Sequence, residues 1–349
     1  MTTWVPDVLG DGYQQTTIPL GPDPDGEGEI RATLVRFQPQ KSAGHTGRAV
    51  LYVHGYTDYF FQKHLAEHFA AQGYAFFALD LRKCGRSLTP GQTPHFVTDL
   101  SLYEIELQRA FDIVQEEITA ESTTEVTRPF HSAGPGEVLL VAHSTGGLVL
   151  PLWLDKLQRQ PGGTAGLGIT GVILNSPWFD LQGPSYRRSV GTAAVDAIGR
   201  FAAKNVIPGT GEDAYGVSLH VGGNGIWNYN LDWKPLDGFP VRFGWLRAIR
   251  RGHARLHRGL DIGVPALILR SKKTYFAPRY DPRVDTADAV LDVRQIARWA
   301  GCLGDRTTIV PIDGARHDVF LSSDKPLAVA FHEVDLWLDW LHGHQEANT

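Results

Sequence analysis

The chain has 349 residues, of which 42% are hydrophobic and 20% charged, a composition typical of a globular protein with a large core. Its 33 basic and 38 acidic side chains give a formal net charge of −5, so no nucleic-acid partner is predicted. The sequence contains neither a signal-peptide pattern nor an apolar run of about 18 residues. Cys84 and Cys302 form no disulfide framework and no metal-binding pair. We therefore expect a cytoplasmic protein with no transmembrane segment.

Short apolar runs alternate with helical patterns from residue 48 onward. The predicted strands are 48–54, 74–81, 137–143, 171–175, 264–270 and 307–312. The predicted helices are 62–72, 101–117, one starting at Ser144, 289–300, and a last helix carrying the apolar stripe Leu327, Phe331, Val334, Leu338 and Leu341. This alternation predicts βαβ units, and hence an α/β fold with a mostly parallel, doubly wound sheet. The polar stretch 118–136 is predicted to be a surface loop.

One long segment, residues 182–263, interrupts the alternation. About 80 residues is too long for a bare connection between two strands of a compact domain. We predict that it is an inserted cap, or lid, over the carboxyl edge of the sheet, where such folds bind ligands. The core would then consist of residues 1–181 and 264–349.

The most specific motif is the sequence VAHSTGG, residues 141–147, which follows an apolar strand and precedes an apolar helix. It matches the nucleophile elbow G-x-S-x-G with Ala142 in place of the first glycine. A tight turn of this kind lifts the hydroxyl of Ser144 off the sheet edge. Small residues on both sides allow the strand and helix to approach closely. We therefore predict Ser144 as a nucleophile, rather than as the cap of a structural turn.

A serine hydroxyl needs a base, and His317 is the preferred candidate among 14 histidines. It follows the last predicted strand, in a glycine-containing loop where a doubly wound sheet collects its functional residues. His54 is predicted to be structural, and His143 is held in the elbow. Three others, His332, His342 and His344, lie on or beyond the last helix and are predicted to be solvated.

The base in turn needs a carboxylate to orient it. The loop after strand 264–270 offers Asp281, Asp285, Asp288 and Asp292. Asp288 is preferred because Asp292 resembles the N-cap of the next helix, although Asp285 and Asp292 remain alternatives. For the oxyanion that forms during acyl transfer, the predicted donors are the backbone N–H groups of Tyr56, after the His-Gly pair at 54–55, and of Thr145.

Together these motifs resemble one family. The sequences LYVHGYTDY, FFALDLRKCGRS and VAHSTGG, with Asp288 and the GARH sequence ending at His317, are similar to the monoacylglycerol-lipase and lysophospholipase-like branch of the α/β-hydrolases, also labelled the serine aminopeptidase S33 type. The resemblance implies the same triad and oxyanion donors, and no metal or organic cofactor. One departure is Lys83, which stands where the family pattern D-x-R-G-x-G-x-S has its first glycine. The resemblance does not extend to residues 182–263.

The resulting hypothesis is a serine hydrolase whose substrate is a small-molecule acyl ester, such as a monoacylglycerol or lysophospholipid. An S33-type aminopeptidase is the first alternative, although the elbow AHSTG differs from the GGSWG typical of that type. An inactive binding protein on the same fold is the second alternative. Epoxide hydrolases and dehalogenases are excluded, because their nucleophile is an aspartate. Candidate residues of the acyl pocket are Trp178, Trp227, Trp233 and Trp245.

A run of basic residues between 242 and 258 is the last feature. It contains six arginines and two histidines. Such a run could make weak peripheral contact with anionic lipid, but a solvated helix face is the preferred interpretation.

Overall fold

A computed structural model describes residues 2–39, 47–122, 135–181, 195–208 and 213–346. Within these ranges, nine strands form one sheet in the order β1-β2-β3-β5-β4-β6-β7-β8-β9. In chain order the strands are β1 Val5–Pro6, β2 Tyr13–Pro22, β3 Glu29–Phe37, β4 Arg48–Val53, β5 Tyr74–Asp80, β6 Glu137–His143, β7 Ile169–Asn175, β8 Ala266–Ser271 and β9 Thr307–Ile312. Six neighbouring strands, β5, β4, β6, β7, β8 and β9, pair in parallel. Strands β1, β2 and β3 pair antiparallel with their neighbours. The prediction of a mostly parallel sheet is therefore confirmed.

Helices cover both faces of this sheet. They are α1 Lys63–Ala71, α2 Glu104–Ser122, α3 Gly146–Gln158, α4 Gly163–Gly166, α5 195–201, α6 Asp213–Leu219, α7 Phe243–Leu256, α8 Val293–Trp299 and α9 Asp324–Glu346.

The parallel strands are apolar on both sides because each side meets a helical layer. In β4, Leu51 and Val53 belong to the core cluster that includes α2, α3 and α7, whereas Val50 and Tyr52 belong to the cluster that includes α1 and α9. Successive side chains of a strand point to opposite faces, so a continuous apolar run supplies both cores. The predicted stripe of α9 packs into the second cluster, with Val334, Leu338 and Leu341 at most 1% exposed and Leu327 and Phe331 partly buried.

Sequence reasoning assigned no element before residue 48, yet β1, β2 and β3 lie there. The β2 sequence YQQTTIPLGP contains no continuous apolar run, because only alternate residues such as Thr16 and Ile18 face the core. Antiparallel strands at a sheet edge can leave one face to water, which removes the continuous apolar run that identifies a central strand.

Three predicted helix boundaries are wrong. The helix after the elbow starts at Gly146 rather than Ser144, because Ser144 has a left-handed backbone with φ 51°. Helix α2 continues to Ser122, so the first five residues of the predicted loop 118–136 are helical, and residues 123–134 lie outside the described part. Helix α8 starts at Val293, because the side chain of Asp292 caps it by accepting from the N–H of Arg294. The predicted N-cap role of Asp292 is confirmed.

The segment predicted to be a cap contributes α5, α6 and α7, while residues 182–194 and 209–212 lie outside the described part. Helix α7 packs closely on α3: a Cβ added to Gly252 would lie 2.8 Å from Leu100 and 3.2 Å from Leu148. Trp245 and Ile249 of α7 accordingly belong to the main core cluster. Among the described residues, no helix has both the length and the apolar character to cross a bilayer.

Candidate active site

Ser144 occupies a strained turn between β6 and α3. Its N–H donates to the carbonyl of Asn175 at the end of β7 (3.0 Å), and its φ of 51° is unusual for any residue but glycine. Two neighbours must be small, because a Cβ on Gly146 would lie 2.6 Å from the carbonyl oxygen of His54, and one on Gly147 2.6 Å from a side-chain carbon of Pro177. The turn thus depends on close backbone packing, which is the property expected of an elbow.

His317 joins Ser144 to Asp288. Its Nε2 lies 3.0 Å from Oγ of Ser144, and its Nδ1 lies 3.0 Å from Oδ2 of Asp288. All three side chains are buried, with Ser144 the most exposed at 8%. Because a carboxylate oxygen only accepts, Nδ1 carries a proton toward Asp288 and Nε2 is free to accept from the serine hydroxyl.

Asp288 is the aspartate of its loop that contacts His317. Its other oxygen, Oδ1, accepts from the N–H groups of Val290 and Leu291 at 2.9 and 2.7 Å, which fixes the carboxylate plane. The other three candidates have different partners. Asp285 pairs with Arg316 and Tyr280, whereas Asp281 and Asp292 each cap a helix and pair with Arg283 and Arg294.

The two residues whose backbone N–H groups are the predicted oxyanion donors line one small cavity at the elbow. This cavity is lined by residues that include Tyr56, Thr145 and Trp245. The N–H groups of Tyr56 and Thr145 have no acceptor in the part of the chain that the structure describes. The Tyr56 loop lies against the serine, since a Cβ on Gly55 would be 2.9 Å from Cβ of Ser144. Both N–H groups are therefore available as donors close to the elbow.

His54 fixes the peptide that carries one of these donors. Its Nε2 accepts from the N–H of Leu81 (3.1 Å), so its proton resides on Nδ1, which donates to the carbonyl of Gly55 (2.7 Å). That carbonyl and the N–H of Tyr56 belong to one planar peptide and point in opposite directions. His54 is therefore structural, as the sequence predicted, and its contact sets the direction of the Tyr56 N–H.

The four candidate pocket tryptophans divide into two pairs. Trp178 and Trp245 lie close to the elbow: the backbone N–H of Trp178 donates to the carbonyl of Ser144 (3.0 Å), and the Trp245 ring lies 4.0 Å from that of Tyr56. The two indoles also contact each other, with ring centroids 5.7 Å apart.

Trp227 and Trp233 have other partners than Ser144 and Tyr56. The Trp227 ring stacks on His64, and its Nε1 donates to the carbonyl of Leu321 (2.9 Å). Trp233 packs edge-on against Tyr59 at 5.2 Å. Both join the segment between β7 and β8 to the core through a separate aromatic cluster. A large aromatic residue fits a structural contact as well as a substrate pocket, and the sequence does not distinguish the two.

Sequence reasoning missed a buried ionic group behind the elbow. Nδ1 of His143 lies 3.1 Å from Oδ2 of Asp58, and Nζ of Lys234 lies 2.8 Å from Oδ1 of the same carboxylate. Burial would raise the pKa of Asp58, but Lys234 and His143 hold it well below its usual range. The ring of His143 lies 4.9 Å from that of His317. Lys234 carries no local sequence signal, since its partner is 176 residues away.

Tyr215 of α6 and Asp318 were also missed. The N–H of Asp318 donates to the hydroxyl of Tyr215 (3.0 Å), whose ring lies edge-on to His317 at 5.5 Å. The carboxylate of Asp318 accepts from the side-chain amides of Asn175 and Gln62 at 2.6 and 3.1 Å. These contacts immobilise the loop that carries His317.

Lys83, the departure from the family pattern, has φ 58°, which is the left-handed conformation that glycine adopts without strain. Its ammonium group is completely buried and pairs with Asp23 at 2.8 Å and Glu27 at 3.3 Å. Lys204, between β7 and β8, pairs with the same Glu27 at 2.9 Å. Burial would raise the pKa of Glu27, but hydrogen bonds from Lys204 and Thr93 lower it to about 2.

Three of the six arginines in the basic run at 242–258 are paired with aspartates. Arg247 pairs with Asp196, Arg251 with Asp99, and Arg255 with Asp155. These pairs join α7 to neighbouring elements and favour the solvated-face interpretation of the run. Within the described ranges, no group of three or more His, Cys, Asp or Glu side chains could hold a metal ion.

Comparison with known proteins gives the same fold. The chain resembles a soluble variant of monoglyceride lipase from Saccharomyces cerevisiae in complex with a substrate analogue (TM-score 0.59, 16% identity, covering 98% of this chain and 95% of that one). It also resembles the monoacylglycerol lipase of Paleococcus ferrophilus (0.54, 17%, 88% and 99%) and a thermostable carboxyl esterase from Bacillus coagulans (0.57, 12%, 94% and 98%). No curated protein matches the sequence. The model of the alpha/beta hydrolase family matches residues 50–330. The chain therefore belongs to the alpha/beta hydrolase family.

Proposed function

We propose that the protein is a serine hydrolase that cleaves carboxylic esters through Ser144, His317 and Asp288. The observation that carries the proposal is the continuous hydrogen-bonded chain from Oγ of Ser144 to Oδ2 of Asp288, with 3.0 Å at each of its two links. A hydroxyl, an imidazole and a buried carboxylate in this order are the parts that acyl transfer by serine requires.

In the first half-reaction, Oγ of Ser144 attacks the ester carbonyl while Nε2 of His317 takes the hydroxyl proton. Asp288 stabilises the imidazolium that forms. The negative charge on the carbonyl oxygen is met by the free N–H groups of Tyr56 and Thr145. His317 then gives its proton to the departing alcohol, which leaves an acyl group on Ser144.

In the second half-reaction, a water molecule gives a proton to Nε2 of His317 and attacks the acyl carbon. The same two N–H groups stabilise the second tetrahedral intermediate. Its collapse releases the carboxylic acid, and the proton returns to Oγ of Ser144.

We further propose that residues 182–263 form a cap and that the substrate is a single-chain acyl ester, such as a monoacylglycerol or lysophospholipid. Trp178 and Trp245 support an apolar acyl subsite, because they lie beside Ser144 and Tyr56. Similarity in fold to two monoacylglycerol-type lipases is consistent with this class of substrate.

The aminopeptidase alternative lacks an available carboxylate in the described part of the site. A free α-amino group would need one near Ser144. Asp58 is already paired with Lys234, Asp318 accepts from two side-chain amides, and Asp288 is fully engaged with His317 and two N–H groups.

The test is hydrolysis of p-nitrophenyl esters with acyl chains of two to sixteen carbons. Activity should be present in the wild-type protein and absent in Ser144→Ala. The preferred chain length should shorten or broaden in Trp178→Ala. The matched control is Trp227→Ala, because Trp227 is an aromatic of the same segment that packs on His64 instead.

A fluorophosphonate probe separates enzyme from binding protein. Covalent labelling of Ser144 without turnover of any ester would mean that the site is competent and the substrate class wrong. A folded protein with neither labelling nor turnover would favour the inactive binding protein.

A further inference from the structure

Behind the proposed nucleophile, three polar side chains form a buried row that starts in the segment between β7 and β8. Lys234 contacts Asp58, Asp58 contacts His143, and the ring of His143 lies against that of His317. Lys234, Asp58 and His143 are 6%, 1% and 3% exposed. Nε2 of His143 is buried and has no hydrogen-bond partner among the described residues.

The charges in this row must balance, because an unpaired charge is costly where water is excluded. Lys234 and the ionised Asp58 form a neutral pair, and His143 contacts the same carboxylate. Without the ammonium group, Asp58 would be an uncompensated anion next to His143, whose ring lies against His317. An uncompensated negative charge near an imidazole favours its protonated form.

We propose that Lys234 is a positioning residue: its charge balances Asp58, the carboxylate that contacts His143 and holds its ring against His317. This inference rests on the proposed role of His317 as the base. It also means that His317 has these surroundings only when the segment carrying Lys234 lies on the core. Lys234 additionally contacts the carbonyl of Thr57 at 3.3 Å, next to the loop that carries the proposed oxyanion donor Tyr56.

Other ionisable groups face the same imidazoles. Asp288 hydrogen-bonds to His317, Asp318 follows it in the chain, and the Tyr215 ring packs on it from α6. His54 acts on Asp58 electrostatically from the end of β4. None of these groups is altered when Lys234 is replaced, so a change in titration reports the loss of the Lys234 charge.

The experiment measures the rate of labelling by a fluorophosphonate from pH 5 to 10, which needs no knowledge of the substrate. Lys234→Gln keeps a hydrogen-bond donor to Asp58 and removes the charge. The pH midpoint of the acid limb should rise by about one unit, because the carboxylate of Asp58 is then an uncompensated negative charge in the row that leads to His317. The double variant Asp58→Asn/Lys234→Gln, neutral again, should return close to the wild-type midpoint, and Lys234→Arg should keep it.

Lys204→Met is the matched control. Lys204 also joins the β7–β8 segment to the core by an ion pair, but its side chain is 50% exposed and its partner is Glu27. The pH midpoint of labelling in Lys204→Met should equal that of the wild type. An unchanged midpoint in Lys234→Gln, or an equal shift in the double variant or in Lys234→Arg, would overturn the inference. Absence of labelling in the wild type would instead mean that the proposed function itself has failed, and the inference with it.

Discussion

Ser144 after β6 and Lys83 after β5 both have the left-handed backbone that glycine tolerates best, with φ 51° and 58°. Each conformation costs about 1–2 kcal/mol for a residue with a side chain. At Ser144 the conformation presents a hydroxyl to His317. At Lys83 it directs an ammonium group into a buried pair with Asp23 and Glu27. Backbone strain therefore marks positions where a side chain is needed, and the groups it contacts decide whether the role is chemical or structural.

The largest expected effect is on ester turnover, which should distinguish Ser144 from Lys83. Ser144→Ala should reduce ester turnover by at least about 10³-fold, because the proposed nucleophile is lost. Lys83→Met, measured at a temperature where it is folded, should retain its rate within a factor of about two. Comparable losses in both variants would mean that the Lys83 loop takes part in catalysis.

The substitution at Lys83 should instead have its main effect on the free energy of unfolding. Lys83→Met leaves two buried carboxylates without their shared cation and should lower the free energy of unfolding by about 3–5 kcal/mol. The control is Lys204→Met, which removes the half-exposed partner of the same Glu27 and should cost less than about 1 kcal/mol. Urea unfolding of both variants measures the difference, and equal losses would contradict the burial argument.

The strain at Ser144 itself can be measured with two inactive variants. Ser144→Gly and Ser144→Ala lose the same hydroxyl, but only glycine relieves the left-handed strain. We expect the glycine variant to be about 1 kcal/mol more stable than the alanine variant, after allowing for the greater freedom of glycine in the unfolded chain. Calorimetric melting of the two proteins is the measurement, and a less stable glycine variant would rule out strain at this turn.

The last prediction concerns the loss of stability in acid. Because the pKa of Glu27 is lowered to about 2 in the folded protein, its contribution to stability is fully present above the ordinary value of 4.5 and is lost as the pH falls toward 2. Between pH 4.5 and 2, the wild type should therefore lose more stability than Glu27→Gln. Parallel losses in the two proteins would show that the Lys83 and Lys204 pairs do not depend on the ionisation of Glu27.

Several elements could be predicted because their signals are local. Strands β6 and β9 have the predicted bounds, since both are short apolar runs bounded by turns, although β9 lies at the edge of the sheet. Strands β2 and β3 have no such apolar run that stands out from its surroundings, and the sequence analysis did not identify them. Helix starts were displaced by up to four residues where a side chain capped the backbone, as at Asp292.

The sequence alone was sufficient for the fold class and for Ser144, His317 and Asp288 as candidates, because each lies in the segment that follows a strand whose apolar pattern is visible. Tertiary structure was needed for everything that depends on partners distant in the chain. It divided the four tryptophans into two that lie beside Ser144 and two that pack elsewhere. It also joined Lys234 to Asp58 across 176 residues. Such contacts depend on how the segment after β7 lies on the core, and no periodicity or spacing within either segment encodes that arrangement.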